Sequence, residues 1–157
     1  MIKYSFYKDL LARNYKMGSD DCFGLVRDLY KNAFGILLPN YARPRNFYDP
    51  RINLYARIVA QPEFKERGLC PTDFKEGDIL AFRVAGADLV NHVGVYLGNN
   101  LFLHQMFEAQ PREENLDQRW LRRLYMAVYH VDVPVTKEKL NILDVIPDYL
   151  KVEKYVE

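Results

Sequence analysis

The feature that most constrains this chain is a single apolar face running through Cys22, Leu25, Val26, Leu29, Tyr30 and Ala33. These fall at i, i+3, i+4, i+7, i+8 and i+11, the spacing of one side of an α-helix. Arg27, Asp28, Lys31 and Asn32 take the opposite side. Asp20 or Asp21 can cap the start and Gly35 can end it. A helix buried along that face needs a partner layer, and its first turn carries a cysteine.

The partner layer is visible downstream. Residues 78–84 read as a strand after the turn at Glu76-Gly77. Residues 91–97 and 101–106 flank Gly98-Asn99-Asn100, whose residues tolerate positive φ and signal a hairpin. A further strand is expected at 125–131. Residues 2–14 have roughly helical apolar spacing, and 51–65 repeat it through Leu54, Tyr55, Ile58 and Val59. Residues 36–50, with three prolines, and the polar stretch 108–117 read as loops. Helices first and antiparallel strands after predict an α+β fold, with N-terminal helices packed on an antiparallel β-sheet. We expect one domain over 1–133 and a C-terminal extension over 134–157, either a helix broken at Pro147 or a docking segment.

Composition narrows the function classes. The 157 residues carry a net charge of +1 with both signs interspersed, which gives no support for nucleic-acid binding. No run approaches the roughly 20 apolar residues of a membrane span. The first nine residues have neither an uninterrupted apolar run nor a small-residue cleavage site. The expectation is therefore a chain made in the cytoplasm without a secretory signal. Two cysteines, Cys22 and Cys70, make no disulfide framework, and free thiols are expected.

The chemistry sits in Cys22, His92 and His104. Treating Gly98-Asn99-Asn100 as a three-residue turn pairs Leu97 with Leu101 and sets Gly94 opposite His104. His92 is then diagonal to His104 on the same face, roughly 7–8 Å away at Cβ. A slip of one residue would separate them. A thiol at a helix start feels the positive end of the dipole, which favours thiolate. His92 can then act as base and acid, His104 as its orienter, and the Cys22 N–H as an oxyanion donor. Duller readings stay open: a small core cysteine, structural strand histidines, or a zinc site from the same three residues that lacks a fourth ligand. Cys70 reads as inert, and His130 as structural or surface.

Three stretches together, Asp21-Cys22-Phe23-Gly24-Leu25-Val26, Gly77-Asp78-Ile79-Leu80-Ala81-Phe82 and His92-Val93-Gly94-Val95-Tyr96-Leu97-Gly98, followed by Leu103-His104, resemble the NlpC and p-sixty cysteine peptidases. The resemblance covers roughly residues 12–106. It implies a papain-like fold and hydrolysis of peptidoglycan stem peptides, commonly at the D-glutamyl–diaminopimelate bond, with no cofactor or metal. It also implies a tyrosine upstream of the cysteine that helps the oxyanion hole, for which Tyr15 is the candidate. Phe23, where secreted members have serine, and the Pro-rich loop after the helix resemble the phage tail-assembly branch. That branch implies other tail proteins as partners and a virion location. A structural tail-tip or adaptor protein that keeps the fold is the competing expectation.

Overall fold

A computed structural model describes residues 1–43, 49 and 51–132. The expected C-terminal extension, 134–157, lies outside the described residues. Three α-helices are described: α1 (Cys22–Phe34), α2 (Leu54–Val59) and α3 (Gln118–Leu121). The strands are β1 (Phe64–Glu66), β2 (Ile79–Phe82), β3 (His92–Gly98), β4 (Leu101–His104), β5 (Arg112–Asn115) and β6 (Leu124–His130). They form one antiparallel sheet in the order β1-β6-β2-β3-β4-β5.

Helix α1 forms where its apolar face predicts. Asp21 is the cap: its carboxylate accepts the N–H of Gly24 and, from the preceding turn, that of Gly18, both at 2.8 Å. Gly35 ends the helix with φ 67°. The α1 face packs on β3 through Leu25, Val26 and Leu29, which share one core with Val93, Val95, Leu97 and Leu103. Each such side chain contributes roughly 1.5–3 kcal/mol on burial. A second core covers the other sheet face, around Phe82, Phe102, Leu116 and Trp120. The sheet is thus buried on both faces over β2, β3 and most of β4.

Several expected elements come out differently. The apolar spacing over 2–14 yields two single 3-10 turns, Tyr4–Phe6 and Lys8–Leu10, and Ile2 instead donates its N–H to Leu97. The helix expected over 51–65 is only α2. Pro62 disfavours helical backbone at the residue before it, and the chain then extends into β1, an edge strand beside β6. The polar loop 108–117 contains β5, the opposite edge. Its Arg-Glu-Glu-Asn sequence is how exposed edges are kept from pairing with other chains. Strand β6 begins one residue earlier than expected, at Leu124.

The hairpin turn is two residues, not three. Asn99 and Asn100 have φ of 51° and 62°, the both-positive signature of a type I′ turn. Gly98 therefore pairs with Leu101, and the expected Leu97–Leu101 pair does not form. A register shift between Tyr96 and Gly98 absorbs the difference, so Gly94 still faces His104. Glycine is required there: a Cβ would sit 2.8 Å from Leu103 O and 3.1 Å from His104 Cβ.

Candidate active site

Cys22 occupies the first turn of α1, 6% exposed. Its thiol donates to the Tyr55 hydroxyl at 3.5 Å, and its sulfur takes a hydrogen bond from the backbone N–H of Val93. The nucleophile candidate thus rests against the second residue of β3. Gly24 lets the preceding turn pass close over the start of α1, since a Cβ there would lie 1.7 Å from Ser19 O. The expectation of a lowered thiol pKa is not met. Burial first, and then the Asp21 charge, push the thiol up to about 11, against partial relief from Tyr55, Val93 and Arg43. The resting sulfur is a neutral thiol.

His92 and His104 meet as the register requires. His92 Nε2 lies 2.9 Å from His104 Nδ1, with ring centroids 5.1 Å apart. Both rings are buried on the Phe82–Trp120 side of the sheet. Phe102 stacks on His104 at 4.7 Å and Trp120 meets it edge-on at 4.9 Å. Burial, then the neighbouring His104 and Arg112, lower His92 to about 3. Burial also lowers His104, against the pull of Glu114. Val93 sits in the α1 core, whereas His92, one residue earlier, packs among Phe82 and Trp120. The polar partners of Cys22 are accordingly Tyr55 and Val93, and no Cys22–His92 hydrogen bond is present among the described residues.

Tyr15 lies on the approach to the thiol. Its hydroxyl is pushed up to about 12 by burial and by the nearby Cys22 and Asp21. It packs against Phe107 at 5.1 Å and lines a cleft of about 490 Å³ with Asn14, Met17, Glu108 and Gln110.

Four further residues, Tyr55, Arg43, Glu114 and Arg13, complete the surroundings. Tyr55 is buried on α2, where its spacing marked only a core residue. Arg43, fully buried, pairs with Asp21 through Nη2 at 2.9 Å and lies 5.1 Å over the Phe23 ring. Phe23, set against both Arg43 and Tyr41, is therefore part of how the post-helix loop closes over α1. Glu114 accepts from His104 Nε2 at 2.7 Å. The only sequence signal for it is alternation: Arg112, Glu114 and Leu116 share a face if 112–115 is a strand. Arg13 ties the two halves of the site, bonding Asp21 O, Asp28 Oδ2 and Gln105 Oε1, the residue after His104.

Cys70 is an exposed free thiol beside Thr72, away from these groups in the fold, and His130 packs between Tyr30 and Phe64. Among the described residues no cluster of three or more His, Cys, Asp or Glu side chains is arranged for a metal ion. No described helix is long and apolar enough to cross a membrane.

Helices on a six-stranded antiparallel sheet, with a thiol at a helix start and paired imidazoles on adjacent strands, define the papain-like α+β class. Residues 12–130 match the NlpC/P60 family, and the chain belongs to it. It is 28% identical over 126 residues to the probable endopeptidase NlpC homolog of Haemophilus influenzae, covering 77% of this chain and 57% of that one. It is 27% identical over 128 residues to tail tip assembly protein K of Escherichia phage lambda, covering 82% and 62%. The chain thus spans a little over half the length of these curated relatives. A solved NLP/P60-family protein similar to lipoprotein, from Staphylococcus aureus, shares the fold with a TM-score of 0.55 at 22% identity, covering 84% of this chain and 41% of that one.

Proposed function

We propose that the chain is a cysteine endopeptidase acting on the stem peptides of bacterial peptidoglycan, at a D-glutamyl–diaminopimelate type of bond, as a component of a phage tail. The observation that carries the reading is the 2.9 Å contact between His92 Nε2 and His104 Nδ1, with the helix-start thiol of Cys22 resting against Val93, the residue after His92. Relatives named as a probable endopeptidase homolog and as a tail tip assembly protein support the reaction class and the setting. The peptidase unit is residues 1–133, with 134–157 as its docking segment.

In this reading the Cys22 side chain turns from Tyr55 towards His92. Its proton passes to His92 Nδ1, since Nε2 is engaged with His104. The sulfur attacks the scissile carbonyl, and the resulting oxyanion is met by the Cys22 N–H and the Tyr15 hydroxyl. His92 returns the proton to the leaving amine, forming a thioester that water then hydrolyses. Because the thiol rests neutral, deprotonation accompanies attack and no stored thiolate is needed.

Muropeptides incubated with the protein and with Cys22→Ala test this by mass spectrometry. Cleavage at one amide bond by the wild type alone is expected. Equal cleavage by both, or none by the wild type across pH, contradicts it.

A second reading, a tail-tip structural protein with no turnover, is favoured by one observation, the thiol tied to Tyr55 and held near 11. It predicts that the wild type leaves muropeptides intact.

A further inference from the structure

The two histidines do not end the line of polar groups that crosses the sheet. His92 opens β3, His104 closes β4, and Glu114 stands within β5. The pairs Gly94–His104 and Phe102–Glu114 put the three side chains on one face. The contacts run 2.9 Å from His92 Nε2 to His104 Nδ1 and 2.7 Å from His104 Nε2 to Glu114 Oε2. Glu114 is itself pinned: Arg112 Nε donates to the same oxygen at 3.1 Å, and the Trp120 side chain also bonds the carboxylate. Burial pushes the Glu114 carboxyl up. The bonds from Trp120 and His104 and the facing charges outweigh that and hold it below the usual carboxylate range.

A carboxylate only accepts hydrogen bonds, and a neutral imidazole carries one N–H and one lone pair. The hydrogen in the Glu114 contact must therefore sit on His104 Nε2. His104 Nδ1 is then an acceptor, so the hydrogen in the second contact must sit on His92 Nε2. His92 Nδ1 is left with the lone pair. We infer that Glu114 is a positioning residue: its carboxylate sets the tautomer of His104, through it that of His92, and so decides which nitrogen of His92 is basic.

The consequence for proton transfer rests on the reading of Cys22 and His92 as nucleophile and base, but the tautomer assignment does not. When the Cys22 S–H bond breaks and an N–H bond forms at His92 Nδ1, the ring becomes a cation. Each N–H along the line then points towards a carboxylate two links away, and no other reagent is consumed. The groups facing the pair are Glu114 and Arg112 from β5, the first favouring and the second opposing the cation. On the opposite, α1 side of the sheet lie Cys22 with its partner Tyr55, and Asp21 with its partner Arg43. An edge ion pair between Arg112 and Glu114 alone would leave both tautomers of His104 open.

The test is nitrogen NMR of the histidine rings in the full chain, wild type and Glu114→Gln, with stem-peptide kinetics alongside. A glutamine keeps the shape but can donate as well as accept. The wild type is expected to show the Nε2–H tautomer at both His92 and His104. The variant is expected to lose the fixed preference and show Nδ1–H alongside Nε2–H tautomer at both, with kcat down about 10–100-fold and KM within about twofold. Nδ1–H tautomer at His104 in the wild type overturns the inference. So do tautomers and kcat unchanged in the variant. If the variant does not fold, the wild-type spectrum alone decides. If the wild type cleaves no stem peptide, or Cys22→Ala cleaves as well, the peptidase reading falls, and the spectra still decide the role of Glu114.

Discussion

At the residue scale the site rests as two neutral groups, a thiol held near 11 and an imidazole held near 3. With the thiol held at about 11 rather than near 9, the thiolate fraction at pH 7 should be about 100-fold below that of a free cysteine. In a Cys70→Ser background, iodoacetamide should label Cys22 correspondingly slowly at pH 7 and faster as pH rises towards 11. Fast labelling at neutral pH would show that the dipole of α1 wins over burial. Tyr55→Phe should slow it further, since the phenol O–H can turn to donate to the thiolate and so lowers the thiol. The candidates Cys22, His92 and His104 stand out in the sequence because each sits in a short pattern whose backbone role is local. Tyr55, Arg43 and Glu114 do not. They reach the site through tertiary packing from α2, a loop and an edge strand, and their local spacing says only core, loop or polar stretch.

At the scale of elements, the start of α1 carries the tightest constraint. Asp21 closes the helix, accepts from the preceding turn and neutralises the buried Arg43. Asp21→Ala removes a cap of about 1 kcal/mol and leaves a buried cation unpaired, a loss of about 3–5 kcal/mol in all. Chemical denaturation should show it as a lower midpoint with unchanged slope. Gly24→Ala should be comparably damaging, because its Cβ meets backbone that cannot yield. The hairpin shows how a sequence reading can reach the right register by the wrong turn. The asparagines take both left-handed positions, the turn shortens by one residue, and a bulge near Leu97 restores the Gly94–His104 pair. The misread segments failed for physical reasons. Pro62 cut short the second helix, and an edge strand built of charged residues has no apolar alternation to announce it.

At the scale of the whole molecule, the sheet separates two cores and the site straddles them at the start of β3. The thiol belongs to the α1 side and the histidines to the Trp120 side. Helices, then strands, were enough to predict that architecture, whereas the full strand order, with β6 inserted between β1 and β2, depends on contacts far apart in sequence. The buried histidine couples the site to global stability. Its folded pKa is depressed from 6.5 to about 3, so the native state binds fewer protons than the unfolded chain between those values. Stability is full above about pH 6.5 and is lost as pH falls towards 3. Thermal melts should decline across that window, and His92→Asn should flatten the decline.

The central claim is that Cys22 carries the acyl group of a cleaved stem peptide. Acid-quenching the protein within its first turnover on a purified stem peptide, followed by peptide mapping of the intact adduct, reads this directly. An acyl mass on Cys22, absent from Cys22→Ala, is the predicted result. Cleaved peptide with no adduct on Cys22, together with undiminished cleavage by Cys22→Ala, would contradict it.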